Sequence, residues 1–131
     1  MKKALVTLLL MGAVLLAACG SGSAAATLEP VPADYAGKTN PFGADAAADG
    51  AKIFQANCES CHGPQGHGDG PAGAALDPKP RNLSEFVPSV GDDYLFWRIS
   101  TGVPGTSMPP WAGILSDDQI WQVISFAHTL K

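Results

Sequence analysis

Cys58-Glu59-Ser60-Cys61-His62 decides the fold, since two thiols three positions apart are followed directly by a histidine. This spacing is the attachment signature of covalent haem. From one turn of backbone the two sulfurs reach two vinyl groups of one porphyrin, and the adjacent imidazole is brought beneath the iron. We therefore predict one covalently bound haem c, with Cys58 and Cys61 as the thioether positions and His62 as an axial iron ligand.

Two other chemistries use closely spaced cysteines. A thioredoxin-like dithiol requires a preceding strand and a βαβ pattern, and neither is visible in this sequence. A structural zinc site requires four Cys or His ligands, for which His67 and His128 are the remaining histidines. The spacing of these two histidines makes such a site a poor alternative to haem.

Residues 1–18 have the pattern of a secretory signal, with Lys2 and Lys3 ahead of an apolar run too short for a membrane span. The run ends in Leu16-Ala17-Ala18-Cys19, which resembles the bacterial lipoprotein processing box. Cleavage before Cys19 would make this residue the lipidated N-terminus and leave two thiols, both used by the haem. The alternative is ordinary cleavage with Cys19 as a bystander.

The processed chain is acidic. The full sequence has 8 basic and 12 acidic residues, and the signal removes two of the basic ones. Nucleic acid is therefore a poor partner, because its phosphates require clustered Lys or Arg. Redox partners are expected to present a basic or weakly charged docking face.

Residues 19–44 are predicted to be the lipidated cysteine and a tether, since Gly, Ser, Ala and Pro dominate there without apolar periodicity. This segment is either a flexible coil or, through Tyr35, Phe42 and its prolines, a segment fixed along a larger protein. Residues 45–131 form the predicted globular domain.

Three helices are predicted in that domain, which is therefore assigned to the all-α class. The first runs over residues 46–57 with Asp45 as its N-cap. The second begins near Asp92 and stops at Gly102. The third covers residues 116–130 and opens with a capping box, in which serine is followed three positions later by glutamine.

Residues 45–131 resemble a class I cytochrome c, with the haem motif near the start and a methionine late in the domain. Gly50 and Phe54 resemble the family's N-terminal helix, which crosses a C-terminal helix that carries an aromatic residue, here Trp121 or Phe126. Further stretches resemble bacterial single-haem members: Gly66-His67-Gly68-Asp69-Gly70-Pro71, Pro80-Arg81-Asn82-Leu83 and Met108-Pro109-Pro110-Trp111. The resemblance implies three main helices around a covalent haem, with an extended N-terminal tether.

Within this family pattern, Met108 is the predicted sixth ligand, because Met1 and Met11 leave with the signal. Pro109 disfavours helical geometry at Met108 and places it on a stiff loop. The alternative role of Met108 is filling a gap in the core. The rival ligands, His67 and His128, are expected at the surface.

Four further residues complete the predicted haem pocket. The resemblance implies that the carbonyl of Pro71 accepts a hydrogen bond from His62. Arg81 is a candidate partner for a haem propionate. Trp97 and Trp111 are expected to pack on the porphyrin or to hold the ligand loop. The alternative is that both are ordinary aromatic residues of the core.

With both axial positions filled by protein, the expected function is one-electron transfer, without enzymatic activity or a small-molecule substrate of its own. A haem sensor or enzyme is the weaker class. The expected location is the outer, extracytoplasmic side of a membrane, either the periplasmic face or the cell surface, within a respiratory or photosynthetic chain. The lipobox, tether and single haem resemble the monohaem subunit of alternative complex III, a quinol-oxidising membrane complex. The other placement is a mobile, lipid-tethered shuttle.

Overall fold

The computed structural model describes residues 28–131, so the predicted signal, Cys19 and the first part of the tether lie outside the described residues. This part of the chain is helical and contains no strand, which confirms the all-α prediction. The helices are α1 (Ala47–Asn57), α2 (Glu59–His62), α3 (Leu83–Phe86), α4 (Asp92–Thr101) and α5 (Asp117–Ala127). Within residues 28–131, no helix has the length and apolar character needed to cross a membrane.

Helices α1 and α5 cross in close contact at Gly50. A Cβ atom at this glycine would lie 1.9 Å from the backbone oxygen of Gln122, so any other side chain would force the helices apart. One turn later, the rings of Phe54 and Phe126 meet with centroids 5.1 Å apart. The predicted crossing is therefore confirmed, and Phe126 rather than Trp121 provides the aromatic ring.

The core lies between α4 and α5. Ile120 and Ile124 of α5 are fully buried. The ring of Trp121 stacks on Phe96 of α4, with centroids 4.2 Å apart. Each helix thus buries an apolar face against the other, and burial of such side chains stabilises the domain by about 1.5–3 kcal/mol each.

The start of α1 differs from the prediction that Asp45 is its N-cap. A 3₁₀ turn, Ala44–Ala46, precedes α1 and contains Asp45. Ala46, at the N-cap position, already has helical angles (φ −73°, ψ −11°) and makes no side-chain cap. The N-cap prediction is wrong because the chain enters α1 already coiled, whereas a side-chain cap needs an extended residue.

Helices α4 and α5 agree more closely with the predictions. Helix α4 ends before Gly102, whose φ is +73°. At α5, the amide of Gln119 donates to Ser116 Oγ (3.2 Å) and the amide of Ser116 donates to Gln119 Oε1 (2.9 Å), which completes the capping box. The helix ends at Ala127 rather than Leu130, because the last residues tighten into a turn in which Leu130 donates to the carbonyl of Ala127.

Residues 28–43, which we call the strap, lie against the domain. The side-chain amide of Asn40 donates to the backbone oxygen of Trp121 (3.1 Å) and to Ser125 Oγ (3.0 Å). The backbone N–H of Gly37 donates to Asp93 (2.9 Å). This part of the predicted tether therefore lies against the domain of its own chain, and its role as a tether stays a prediction.

Candidate functional site

The haem motif lies on a single turn at the junction of α1 and α2. The amide of Cys58 donates to the last turn of α1, at Phe54 (2.8 Å), and the carbonyl of Cys58 accepts from Cys61 (3.1 Å) and His62 (2.9 Å). Both thiols are half-buried, and neither forms a disulfide. The two sulfurs and the imidazole are thus presented together, as the predicted attachment requires.

Burial shifts the pKa values of Cys58 and His62. It raises the pKa of Cys58 to about 12, with a smaller contribution from neighbouring Cys61. Burial also lowers the pKa of His62, partly opposed by a backbone contact with Arg81. Near neutral pH the imidazole is therefore uncharged and keeps a nitrogen lone pair for a metal, because a buried ring resists protonation.

In this structure the backbone of Arg81 lies beside the His62 ring, whereas the carbonyl predicted to accept from His62 is that of Pro71, whose role stays a prediction. Nδ1 of His62 lies 3.4 Å from the carbonyl oxygen of Arg81. The segment before Arg81 crosses close to the glycine-rich loop that follows the haem motif, because a Cβ at Gly68 would lie only 2.3 Å from the carbonyl oxygen of Pro80. A proton on Nδ1 facing that carbonyl leaves Nε2 as the metal donor.

The glycine-rich loop after His62 fits tightly around α2. The amide of Gly70 donates to Cys61 (3.2 Å) and that of Ala72 donates to Ser60 (2.9 Å). Cβ atoms at Gly70 and Gly73 would lie within 2.3–2.6 Å of backbone oxygens of the haem motif. The loop therefore packs directly on the backbone of the haem motif and fixes its turn, and the free thiols and neutral imidazole of that turn fit a covalent haem.

Met108 lies on the loop between α4 and α5, as predicted, and is half-buried. Its carbonyl accepts from the amide of Val103 (3.3 Å), and the amide of Trp111 donates to Ile99 at the end of α4 (3.0 Å). The first bond ties Met108 to the start of the loop, and the second ties the end of the loop to α4. The contacts described for Met108 are within this loop and with Gly102, and ligation of iron by Met108 stays a prediction.

The two predicted pocket tryptophans have different environments. Trp97 is buried on α4, edge-on to Tyr94 (5.6 Å between centroids), with the Arg98 guanidinium 3.7 Å from its ring centroid. Trp111 is half-buried on the methionine loop and packs against the core. These contacts account for both residues as packing groups, and their contact with a porphyrin stays a prediction.

Arg81 is exposed, and its guanidinium lies 4.5 Å from the ring centroid of Phe86. The next residue, Asn82, caps α3 through a side-chain oxygen that accepts from the amide of Ser84 (3.1 Å). Sequence reasoning missed this short helix, although Asn is a favoured N-cap. The position of Arg81 is thus set by α3, and a propionate contact stays a prediction.

The rival histidines lie at the surface with other partners. His67 Nε2 is 3.0 Å from the backbone oxygen of Lys131, and His128 Nε2 is 2.7 Å from a carboxylate oxygen of Asp92. Both residues are exposed. In the part of the chain that the structure describes, no group of three or more His, Cys, Asp or Glu is arranged to hold a metal ion.

Comparison with known proteins identifies the family. Residues 45–126 match the family model described as "Cytochrome C oxidase, cbb3-type, subunit III". The chain belongs to this family of cytochromes c. Its class I cytochrome c fold and its covalently bound haem c are thereby shown.

The cytochrome is similar to two proteins named Cbb3-type cytochrome c oxidase subunit FixP. That of Azorhizobium caulinodans is 35% identical over 92 residues, which are 69% of this chain and 29% of the relative. That of Bradyrhizobium sp. (strain ORS 278) is 38% identical over 90 residues, 67% of this chain and 28% of the relative. The matched part of the cytochrome thus spans less than a third of these relatives.

A solved structure shares the fold. It is the Kuenenia stuttgartiensis reducing HAO-like protein complex, one chain of which aligns with a TM-score of 0.60 and 29% identity. The alignment covers 79% of the cytochrome and 51% of that chain. The fold of most of the cytochrome is therefore shared with about half of that chain.

Proposed function

We propose that this cytochrome is a membrane-anchored one-electron carrier that serves an extracytoplasmic electron-transport complex. The observation that carries the proposal is the single turn holding Cys58, Cys61 and a half-buried His62 whose pKa is lowered. When bound, the haem iron supplies reversible one-electron exchange. Cys58 and Cys61 would hold the haem, and the contact with the Arg81 carbonyl orients the imidazole.

Met108 would hold the iron together with His62. A thioether opposite an imidazole raises the reduction potential relative to two imidazoles. If His62 and Met108 both hold the iron, no position would remain for oxygen or peroxide, which favours a carrier over a haem sensor or enzyme. Arg81, Trp97, Trp111 and Pro71 are proposed to line the pocket.

The membrane placement rests on sequence and relatives. The lipobox ending at Cys19 supports a lipid anchor after removal of the signal, on the periplasmic face or the cell surface. The relatives are named as oxidase subunits, which supports a place beside an integral oxidoreductase. An oxidase is thus better supported than the predicted alternative complex III, and the free shuttle is the other candidate.

Mass and carbon monoxide binding test the carrier function. We expect the purified protein to carry the added mass of one haem, which Cys58→Ser/Cys61→Ser removes. The reduced parent protein should give a low-spin spectrum that carbon monoxide does not alter, because no axial position is open. A purified protein with the mass of the unmodified polypeptide would contradict covalent attachment. Ready binding of carbon monoxide by the reduced protein would support a haem sensor or enzyme instead.

Fractionation in mild detergent tests the placement. We expect the cytochrome to comigrate with large integral membrane subunits, and mass spectrometry of that fraction distinguishes an oxidase from a quinol-oxidising complex. Release as a small lipidated monomer would support the shuttle. Cys19→Ala should release the protein from membranes, and retention of this variant would contradict the lipid anchor.

A further inference from the structure

The hydroxyl of Thr106 bridges the two sides of the methionine loop. Thr106 Oγ1 donates to the carbonyl of Val103 (2.8 Å) and accepts from the amide of Met108 (3.1 Å). Two backbone hydrogen bonds join the same residues. The Thr106 amide donates to the carbonyl of Val103 (3.2 Å), and the Val103 amide donates to the carbonyl of Met108 (3.3 Å). The backbone of Met108 is thus tied to Val103 directly and through one side chain.

Gly102 closes the base of the same loop. A Cβ at this position would lie 2.7 Å from the carbonyl oxygen of Met108 and 2.9 Å from the carbonyl carbon of Pro109. The backbone from Met108 to Pro110 is therefore pressed against the residue that follows α4. Proline at 109 further restricts Met108 to extended geometry. Gly102 thus fixes the Met108 end of the loop against the end of α4, and the Thr106 side chain links Met108 to Val103.

We propose that Thr106 is a positioning residue for the Met108 thioether, holding the ligand's backbone so that the sulfur stays at the iron. The inference rests on the proposed role of Met108. A hydroxyl both donates and accepts, so serine can replace it whereas valine, of similar shape, cannot. Thr106 is exposed, and loss of an exposed hydrogen bond has little effect on global stability, so the expected effect is local.

Ligand exchange in the ferric holoprotein tests the proposal, with external imidazole as the probe that competes with the thioether. We expect Thr106→Val to bind imidazole about five- to ten-fold more tightly than the parent, because the bound sulfur loses its supporting contacts. The sulfur-to-iron charge-transfer band should weaken, and the reduction potential should fall. Thr106→Ser should restore all three readouts to nearly parental values.

Thr129→Val is the matched control, because Thr129 is also exposed and donates to the carbonyl three residues earlier, that of Phe126 (2.7 Å). This variant should leave the imidazole affinity, the sulfur-to-iron charge-transfer band and the reduction potential unchanged. If Thr106→Val behaves like Thr129→Val, the positioning role is overturned. If Met108→Ala also keeps the parental band and imidazole affinity, the ligand assignment itself has failed, which separates the two conclusions.

Discussion

His62 shows at the residue scale how the fold prepares a metal ligand. Burial lowers its pKa, so the ring is neutral at a pH where an exposed histidine is partly charged. The carbonyl of Arg81 faces Nδ1. Because a metal binds the neutral ring through the nitrogen without a proton, these two features select Nε2 before any iron is bound.

Replacement of Met108 tests the other axial position. We expect Met108→Ala to convert the reduced protein from one that carbon monoxide does not alter to one that binds it stoichiometrically, since the alanine leaves one iron position to solvent. The reduction potential should fall with the loss of the thioether. Optical titration with carbon monoxide and potentiometry measure both effects.

His67→Ala and His128→Ala are the controls, because these histidines are the rival ligands. Both should keep the parental spectrum and potential, since each ring has another partner in the structure. Loss of the half-exposed pair between His128 and Asp92 should cost no more than about 1 kcal/mol of stability. A changed spectrum in either variant, with an unchanged spectrum in Met108→Ala, would identify that histidine as the ligand.

At the scale of elements, the crossing of α1 and α5 depends on the missing side chain at Gly50. We expect Gly50→Ala to reduce the free energy of unfolding by about 1–3 kcal/mol, because its methyl group would meet the backbone oxygen of Gln122 at 1.9 Å and push the helices apart. Denaturant melts of the holoprotein, followed by circular dichroism, give this value.

Gly43→Ala provides the comparison. A Cβ at Gly43 meets nothing within 4 Å, and its φ of −86° suits alanine. This variant should change stability by less than about 0.5 kcal/mol or raise it slightly, since alanine has less freedom in the unfolded chain. Equal destabilisation by both substitutions would show that the crossing tolerates a side chain at Gly50.

The sequence predicted best those elements whose determining residues lie within a few positions of one another. The capping box at Ser116 and the glycine after α4 act within a few residues, and the structure places both helix boundaries where these signals indicate. The haem motif is likewise local. The strap and the Arg81 carbonyl were missed because their partners, Trp121 for Asn40 and His62 for Arg81, lie far away in sequence and leave no periodic pattern.

At the scale of the whole molecule, charge is unevenly distributed along an acidic chain. The stretch from Ile99 to Ser116, which includes Met108, contains no charged residue. Within it lies Ile114, the exposed large hydrophobic side chain of the described residues, with 66% of its surface accessible. A weakly charged, apolar partner face therefore suits this loop better than a basic one, because basic groups would lose water without gaining a counter-charge.

Salt dependence of electron transfer distinguishes these two partner faces. The assay follows oxidation of the reduced cytochrome by detergent-solubilised membranes of its own organism. We expect the rate of this oxidation to change less than about three-fold between about 20 and 300 mM salt, because salt screens only interactions between charged groups. Ile114→Asp should slow the reaction at every salt concentration. Ala48→Asp adds the same charge at an exposed position in the first turn of α1 and should have little effect. A steep fall in rate with salt, with equal rates for the two variants, would instead indicate a basic partner that docks on an acidic part of the cytochrome.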